Sequence, residues 1–531
     1  TTGNHIDSTP AARHEWRCGE RRYCLHGQQH ADGTEENRMS QTTEHFDVLI
    51  AGAGISGIGA AYHLQTQVPG KSFVVLEKFG GFGGTWRVHT YPGVRSDSDL
   101  YTFGYRFKPW NGAPIAAADK ILDYLHEVID DNDLARHIRY DHEITDASWD
   151  SGTNRWTLQV TQTDPDSGEQ TRRTFTANFL WMCQGYYRHE QGYTPDWPGF
   201  SSYQGQVIHP QTWPDDVDLS GKKVVVIGSG ATAATLIPAI AGQCDGVTML
   251  QRSPTYFVSR PNVNELADTL RSLDIPEEWT HEIVRRKNLQ DGAAITQLSF
   301  EAPELMRDEL LRLVQAELPE GFDMRHFTPA YRPWQQRLAL VPDGDMFAAI
   351  REGKASVVTD EIETFNETGI LTKGGVQLDA DVVITATGFD LSVLGGIPFS
   401  VDGQPVSWPD TVTYRGTMVT GVPNMAWVFG YFRSSWTLRV DLIGDFVCRL
   451  LQHMDELGAS RVTPALRTED AEMTISGWID PDNFNPGYMM RSMHLLPKRG
   501  DKPEWQHTQD YEAERVALPA ADLDDGCLVF E

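Results

Sequence analysis

Short, mainly apolar runs recur along the chain at Phe46–Ile50, Phe179–Cys183 and Lys223–Ile227, with a fourth inside Asp381–Gly388. Runs of this length bounded by turn residues predict strands buried on both faces, as in parallel sheets. A helix is predicted behind the first run, carrying Ala60, Ala61 and Leu64, and another behind the third. Phe73–Leu76 and Val247–Leu250 predict the next strand of each unit. Between about 120 and 178, helical and strand-like stretches alternate, as at Ile121–Val128 and Trp156–Val160. From 260 to about 330 the pattern is helical; Met306, Leu310, Leu313 and Val314 share one face, which predicts core packing. Gly421–Asn424 begins a last strand leading to the aromatics Tyr431, Phe432 and Trp436, candidates for a substrate pocket or for plain core. The acidic stretch after Leu518 is expected to be peripheral.

Residues 1–45 lack a periodic apolar pattern and are expected to be a disordered extension, with Met39 a more natural start. A chain of 531 residues with 40% hydrophobic and 22% charged residues predicts two or three globular domains. A formal charge of -29 argues against a nucleic-acid partner, which needs clustered Lys and Arg. Cys18, Cys24, Cys183, Cys244, Cys448 and Cys527 form no CxxC pair, which removes support for a metal site or a dithiol reductase and suits a reducing cytoplasm. Neither a leader nor a membrane span is evident. Cys183, inside an apolar run, reads as a small core residue.

The turns after two of the strands carry the chemistry. Gly52, Gly54 and Gly57 follow the first run as GxGxxG: the first permits the tight turn, the second lets a pyrophosphate approach the backbone, and the third lets helix and strand pack closely. The next strand ends in Glu77, placed to accept hydrogen bonds from a ribose. The glycine-rich run through Gly84, Thr85 and Trp86, and the loop Tyr91–Asp99, read as backbone lining a cofactor. Gly228 and Gly230 repeat the motif, with Ala233 at its third position. Here the second strand runs into Arg252 and Ser253 instead of an acid, which favours a 2′-phosphate and hence NADP(H). The expected fold is therefore α/β, with two Rossmann-like dinucleotide-binding domains and a helical insertion. The expected divisions are 46–190 (first domain), 191–256 (second), 257–332 (insertion), 333–384 (return to the second) and 385–531 (return to the first, with the tail).

Between the two motifs lies Tyr203–Pro214, of the form Phe/Tyr-x-Gly-x3-His-x3-Trp-Pro. With the paired motifs, it resembles the Baeyer–Villiger subgroup of the class B flavoprotein monooxygenases. Gly205, His209, Trp213 and Pro214 match the fingerprint, and Tyr203 stands for the usual phenylalanine. The chain is more similar still to the ethionamide-activating type, from about Phe46 to near Glu514, including Tyr91–Asp99, Gln251–Pro254 and Leu338–Asp345. The resemblance implies FAD on the first motif and NADPH on the second. It also implies Arg337 over the flavin, Asp97 paired with it, and His209 acting through domain movement and NADPH handling. Gln336 stands where many relatives have a lysine, which weakens the expected NADPH preference. The implied activity uses O2 to convert ketones to esters or lactones through a flavin peroxide, with oxidation of sulfides or thioamides beside it. A heteroatom monooxygenase without ester formation and a non-catalytic nucleotide-binding regulator are the alternatives. An Asp97–Arg337 pair could also be purely structural, and His209 and Trp213 could simply pin the connector.

Overall fold

The computed structural model describes residues 43–531. The expectation of a disordered extension therefore lies outside the described residues, except at its end. Thr43, Glu44 and His45 already belong to strand Thr43–Ala51, where they pair with Thr174, Phe175 and Thr176. Glu44 is polar but has a reason to be ordered: both its oxygens accept from the Arg139 guanidinium, at 2.8 and 2.7 Å.

Two sheets organise the chain. In the larger, Thr43–Ala51 lies between Phe73–Leu76 and Gln170–Met182, parallel to both. Gln170–Met182 is long enough to serve two partners on its other edge. Its first part pairs antiparallel with Arg155–Thr163, and its end pairs parallel with Met425–Trp427, which brings the C-terminal part of the chain back to the first sheet. Val48, Leu49, Ile50 and Ala51 are at most 2% exposed, as a strand covered on both faces requires. Helix Ile55–Gln67 covers one face and packs on helix Trp436–Leu457. The approach is close at Gly59, where a Cβ would come within 2.9 Å of both Tyr105 and Val440.

The second sheet is wholly parallel, in the order Ala355–Thr359, Gly246–Gln251, Lys223–Ile227, Val382–Thr385, Gln206–Ile208. Its edge strand comes from the middle of Tyr203–Pro214, so that segment is more than a connector. Tyr203 is buried and donates its hydroxyl to the Ala380 carbonyl at 2.9 Å. Between the halves of this unit run helices Glu265–Ser272, Glu277–Glu301 and Pro303–Glu317, bracketed by the parallel pair Phe257–Arg260 and Ala339–Pro342.

Two expectations change. Met306, Leu310 and Val314 are buried, but Leu313 is 37% exposed, because a face one residue wide of the apolar stripe already meets solvent. The stretch after Leu518 is not peripheral: Leu518, Ala521, Leu523, Cys527 and Leu528 are buried, and Leu528–Phe530 pairs with Val462–Pro464. Asp522 and Asp524 face out while the apolar positions between and after them pack, and Asp525 turns inward to pair with Arg415 at 3.5 Å.

Candidate active site

Both glycine loops sit where a strand of the parallel sheet hands over to a helix. Gly52 and Gly228 have φ of +99° and +126°, a region open to glycine at little cost. Helices Ile55–Gln67 and Ala231–Ile240 start from Gly54 and Gly230, each at φ -76° and ψ -172°; neither has a side-chain cap or an acid in its first turn. Their first N–H groups thus keep their donors and their positive dipole ends for an anion. A Cβ on Gly57 would lie 1.8 Å from the Gly52 carbonyl oxygen, whereas one on Gly230 would meet nothing within 4 Å. Ala233, fully buried, packs in the core under the second helix.

One cavity of about 350 Å³ gathers most of the residues singled out above: Gly52, Gly54, Glu77, Gly84, Thr85, Trp86, Asp97 and Arg337. Ala231, Thr232 and Thr235, from the start of the second motif's helix, also line it. Glu77 is 5% exposed, and its two oxygens accept from the Ala53 and Phe79 amides at 2.7 and 2.9 Å. Burial nonetheless raises its pKa, against those bonds. Gly54 and Gly84 face each other across the cavity wall, a Cβ on Gly84 falling 3.2 Å from the Gly54 Cα. Bare backbone, first-turn amides and a fixed carboxylate around a concave space fit a dinucleotide that carries a pyrophosphate and a ribose.

Arg337 closes the other side of the cavity. Its Nε lies 2.7 Å from Asp97 Oδ2, and its terminal nitrogens donate to Asp97 Oδ1, Ser98 Oγ and the Phe432 carbonyl, each at 3.0 Å. Burial opposes its charge, but Asp97, Tyr488 and Tyr186 together hold its pKa above the ordinary arginine value. The loop Tyr91–Asp99 makes a second crossing two residues earlier, from Arg95 to Asp345 at 2.5 Å.

Gly57, Gly228, Gly230, Ala233, His209, Arg252 and Ser253 do not line this cavity; the first four belong to the two glycine turns and the helices that follow them. The His209 ring lies against Gly192, its Nδ1 accepts from the Gln211 amide at 3.2 Å, and burial lowers its pKa. Arg252 and Ser253 are exposed at the end of strand Gly246–Gln251. Arg252 makes no ion pair among the described residues. Its nearby acid Glu361 is held below the ordinary carboxylate value first by Lys373, with Arg252 contributing. The Gln336 side chain reaches Asn485, at 3.4 Å.

A family model described as flavin-binding monooxygenase-like matches residues 113–267, and one for a NAD(P)-binding Rossmann-like domain matches residues 50–110. The chain is 48% identical over 472 residues to the FAD-containing monooxygenase EthA of Mycolicibacterium smegmatis, covering 88% of this chain and 94% of that one. It is 45% identical over 491 residues to the probable FAD-binding monooxygenase AlmA of Acinetobacter baylyi, covering 92% and 96%. The chain belongs to the FAD-containing monooxygenases. A solved steroid monooxygenase bound to NADP shares the fold, with a TM-score of 0.72 at 22% identity over 92% of this chain and 99% of that one. Membership bears out the resemblance drawn from the paired motifs and the connector, and the shared architecture bears out the α/β fold class.

Sequence reasoning missed the aromatic wall of this cavity. Tyr186 and Tyr187 share a hydroxyl–hydroxyl bond of 2.7 Å, Tyr186 stacks on Trp436 at 5.0 Å, and Tyr488 closes the group. Burial first, then mutual repulsion, raises the pKa of all three well above 10, so they remain donors. Tyr186 and Tyr187 had a readable signal: they follow the end of a parallel strand, where ligands of such sheets bind. Of the three aromatics proposed for a pocket, Tyr431 and Trp436 line the cavity, while Phe432 contributes its carbonyl and stacks on Phe484 at 4.8 Å.

Proposed function

We propose that this protein is a Baeyer–Villiger-type monooxygenase that uses FAD, NADPH and O2 to convert ketones to esters or lactones and also oxidises sulfides or thioamides. The observation that carries this reading is the Arg337–Asp97 pair, fixed on the wall of a cavity that both nucleotide motifs border. FAD would be held by the Gly52, Gly54 and Gly57 turn, by Glu77 and by Gly84, Thr85 and Trp86. NADPH would be held by the turn of Gly228 and Gly230, with Arg252 and Ser253 at its 2′-phosphate; Ala233, buried in the core, would serve only to let the helix pack closely. FAD, when bound, supplies the acceptor for the hydride of NADPH and the place where O2 is activated.

The remaining work belongs to the chain. Arg337 sets a positive charge beside the reacting atoms and cannot release a proton to them, which a lysine could. Asp97 accepts one hydrogen bond from a terminal nitrogen of the guanidinium and lies in charge contact with its Nε, and the Phe432 carbonyl accepts from the other terminal nitrogen. Tyr186, Tyr187 and Tyr488 offer neutral hydroxyl donors and, with Trp436, exclude water. His209 acts at a distance, on the strand and turn that lead into the second nucleotide unit. No described helix is long and apolar enough to cross a membrane, and the free thiols Cys183, Cys244, Cys448 and Cys527 suit a cytoplasmic location.

Purified protein incubated with NADPH, O2 and panels of ketones and thioethers tests the reading by product mass spectrometry. An ester or lactone from at least one ketone is expected. Sulfoxides without any ester would move the assignment to heteroatom oxygenation.

A further inference from the structure

The segment from His507 to Glu514 holds the loop Phe429–Phe432 at Gly430, Tyr431 and Phe432, and Arg439 of helix Trp436–Leu457 holds it at Phe429. Arg439, fully buried, donates to the Phe429 carbonyl at 2.8 Å and pairs with Glu514 at 2.9 Å. Glu514 accepts the Tyr431 hydroxyl at 2.6 Å and the Thr508 amide at 3.1 Å. Gln509 spans the loop: its Oε1 accepts from the Phe432 amide at 2.8 Å, and its Nε2 donates to the Gly430 carbonyl at 3.1 Å. The opposite face of the same Phe432 residue offers the carbonyl that takes Arg337, at 3.0 Å.

We propose that Gln509 is a positioning residue for Arg337, holding from the C-terminal segment the one backbone carbonyl that anchors the guanidinium on the side away from Asp97. The proposal rests on the reading of Arg337 given above. Two features support a role beyond packing. Gln509 sits at φ +55°, a conformation that disfavours any side chain, so glycine would be the easier residue if only the turn mattered. Its amide also satisfies one donor and one acceptor of a loop whose neighbour Tyr431 lines the cavity, which fixes that loop in both directions along the chain. With the clamp gone, the Phe432 carbonyl can turn away. Arg337 then keeps Asp97 but loses the contact that sets its tilt, a displacement of the size that uncouples charge from reacting atoms.

The readout is coupling: NADPH, a proton and O2 that fail to oxygenate substrate end as NADP+ and hydrogen peroxide. Gln509→Leu removes both bonds, and Gln509→Gly does so while relieving the backbone, which guards against misfolding. Both are expected to raise peroxide per NADPH about fivefold to tenfold, the factor for one buried hydrogen bond. Hydrogen exchange in peptides spanning residues 430–433 is expected to speed up in both. Gln509→Glu keeps the acceptor for Phe432 and is expected to recover most of the coupling. In an Arg337→Lys background the Gln509 changes are expected to add nothing further, since the contact they support is already absent. A fully coupled Gln509→Gly enzyme beside an uncoupled Arg337→Lys one overturns this proposal alone. An Arg337→Lys enzyme that stays coupled overturns the reading of Arg337, and this proposal with it.

Discussion

Asp97 and Arg337 lie 240 residues apart in the chain, yet they share an ion pair with an Nε–Oδ2 distance of 2.7 Å. A pair that is partly buried and further tied to Ser98 and Phe432 has its geometry fixed, which is what electrostatic assistance to a reaction needs. Arg337→Ala is expected to lower ester formation on the order of 100-fold or more, the usual scale for removing a preorganised charge or donor. Bleaching of the flavin by NADPH under anaerobic conditions should persist in the same variant, because the residues of the two nucleotide motifs are untouched. Loss of bleaching would show that Arg337 serves cofactor binding instead. Arg252 makes a different kind of case. Exposed and unpaired among the described residues, it has little structural work to lose. Arg252→Ala should raise the NADPH Michaelis constant about tenfold or more, the scale of a charge-assisted hydrogen bond, and leave that for NADH nearly unchanged. Equal shifts for the two, in steady-state kinetics, would place the 2′-phosphate elsewhere.

At the scale of elements, the two glycine motifs separate what the fold requires from what the ligand requires. Gly57→Ala puts a methyl 1.8 Å from the Gly52 carbonyl, and neither partner is a side chain that can swing aside. The strand and helix of the first unit must move apart, so the variant is expected to melt lower and to lose bound flavin on gel filtration. Gly230→Ala meets no atom within 4 Å and needs no positive φ. It should keep its melting temperature while NADPH affinity falls in a titration. A matching loss of stability would mean that this turn is tight for the fold's own reasons. The same contrast explains what was legible beforehand. Buried strands, glycine turns and Glu77 were readable because their signals are local: a run of apolar residues, a φ requirement, a fixed interval. Asp97 and Arg337 became readable only through family resemblance. Tyr488 and Gln509 gave no signal at all, since their positions depend on the C-terminal part of the chain returning to the first sheet through Met425–Trp427. Leu313 failed because spacing locates a face but not its edge.

For the whole molecule, buried histidines set the response to acid. His89 and His281 are pushed down to about 4, and His507 to about 3, in each case mainly by burial. Unfolded, each would titrate near 6.5, so the folded protein binds fewer protons than the unfolded chain between those values. Stability is therefore fully present above about pH 6.5 and lost as pH falls toward 4, each histidine contributing up to about 1.4 kcal/mol per pH unit. Two buried carboxyls act the other way: Asp99 is pushed up to about 6 by burial and Glu77 is raised as well, so acid relieves them. Burial lowers His137, His189, His209 and His326 as well, so the histidines outweigh the two carboxyls and leave a net loss. Acids held below their ordinary values by ion pairs, such as Glu44 with Arg139, add to it at lower pH. His281 is the place to test this. It is 2% exposed, its Nδ1 accepts the Trp110 amide at 3.0 Å, and Arg285 lies close enough to disfavour its charge. Protonation would set two donors against each other across that bond, between helix Glu277–Glu301 and the loop at Trp110. His281→Asn can keep an acceptor for the Trp110 amide but cannot take up the proton. Denaturant unfolding at a series of pH values between 6.5 and 4 should show a shallower loss of stability in the variant, by up to about 1.4 kcal/mol per pH unit. Equal slopes in the two proteins would mean that His281 is not titrating in this window and that the acid response arises elsewhere in the molecule.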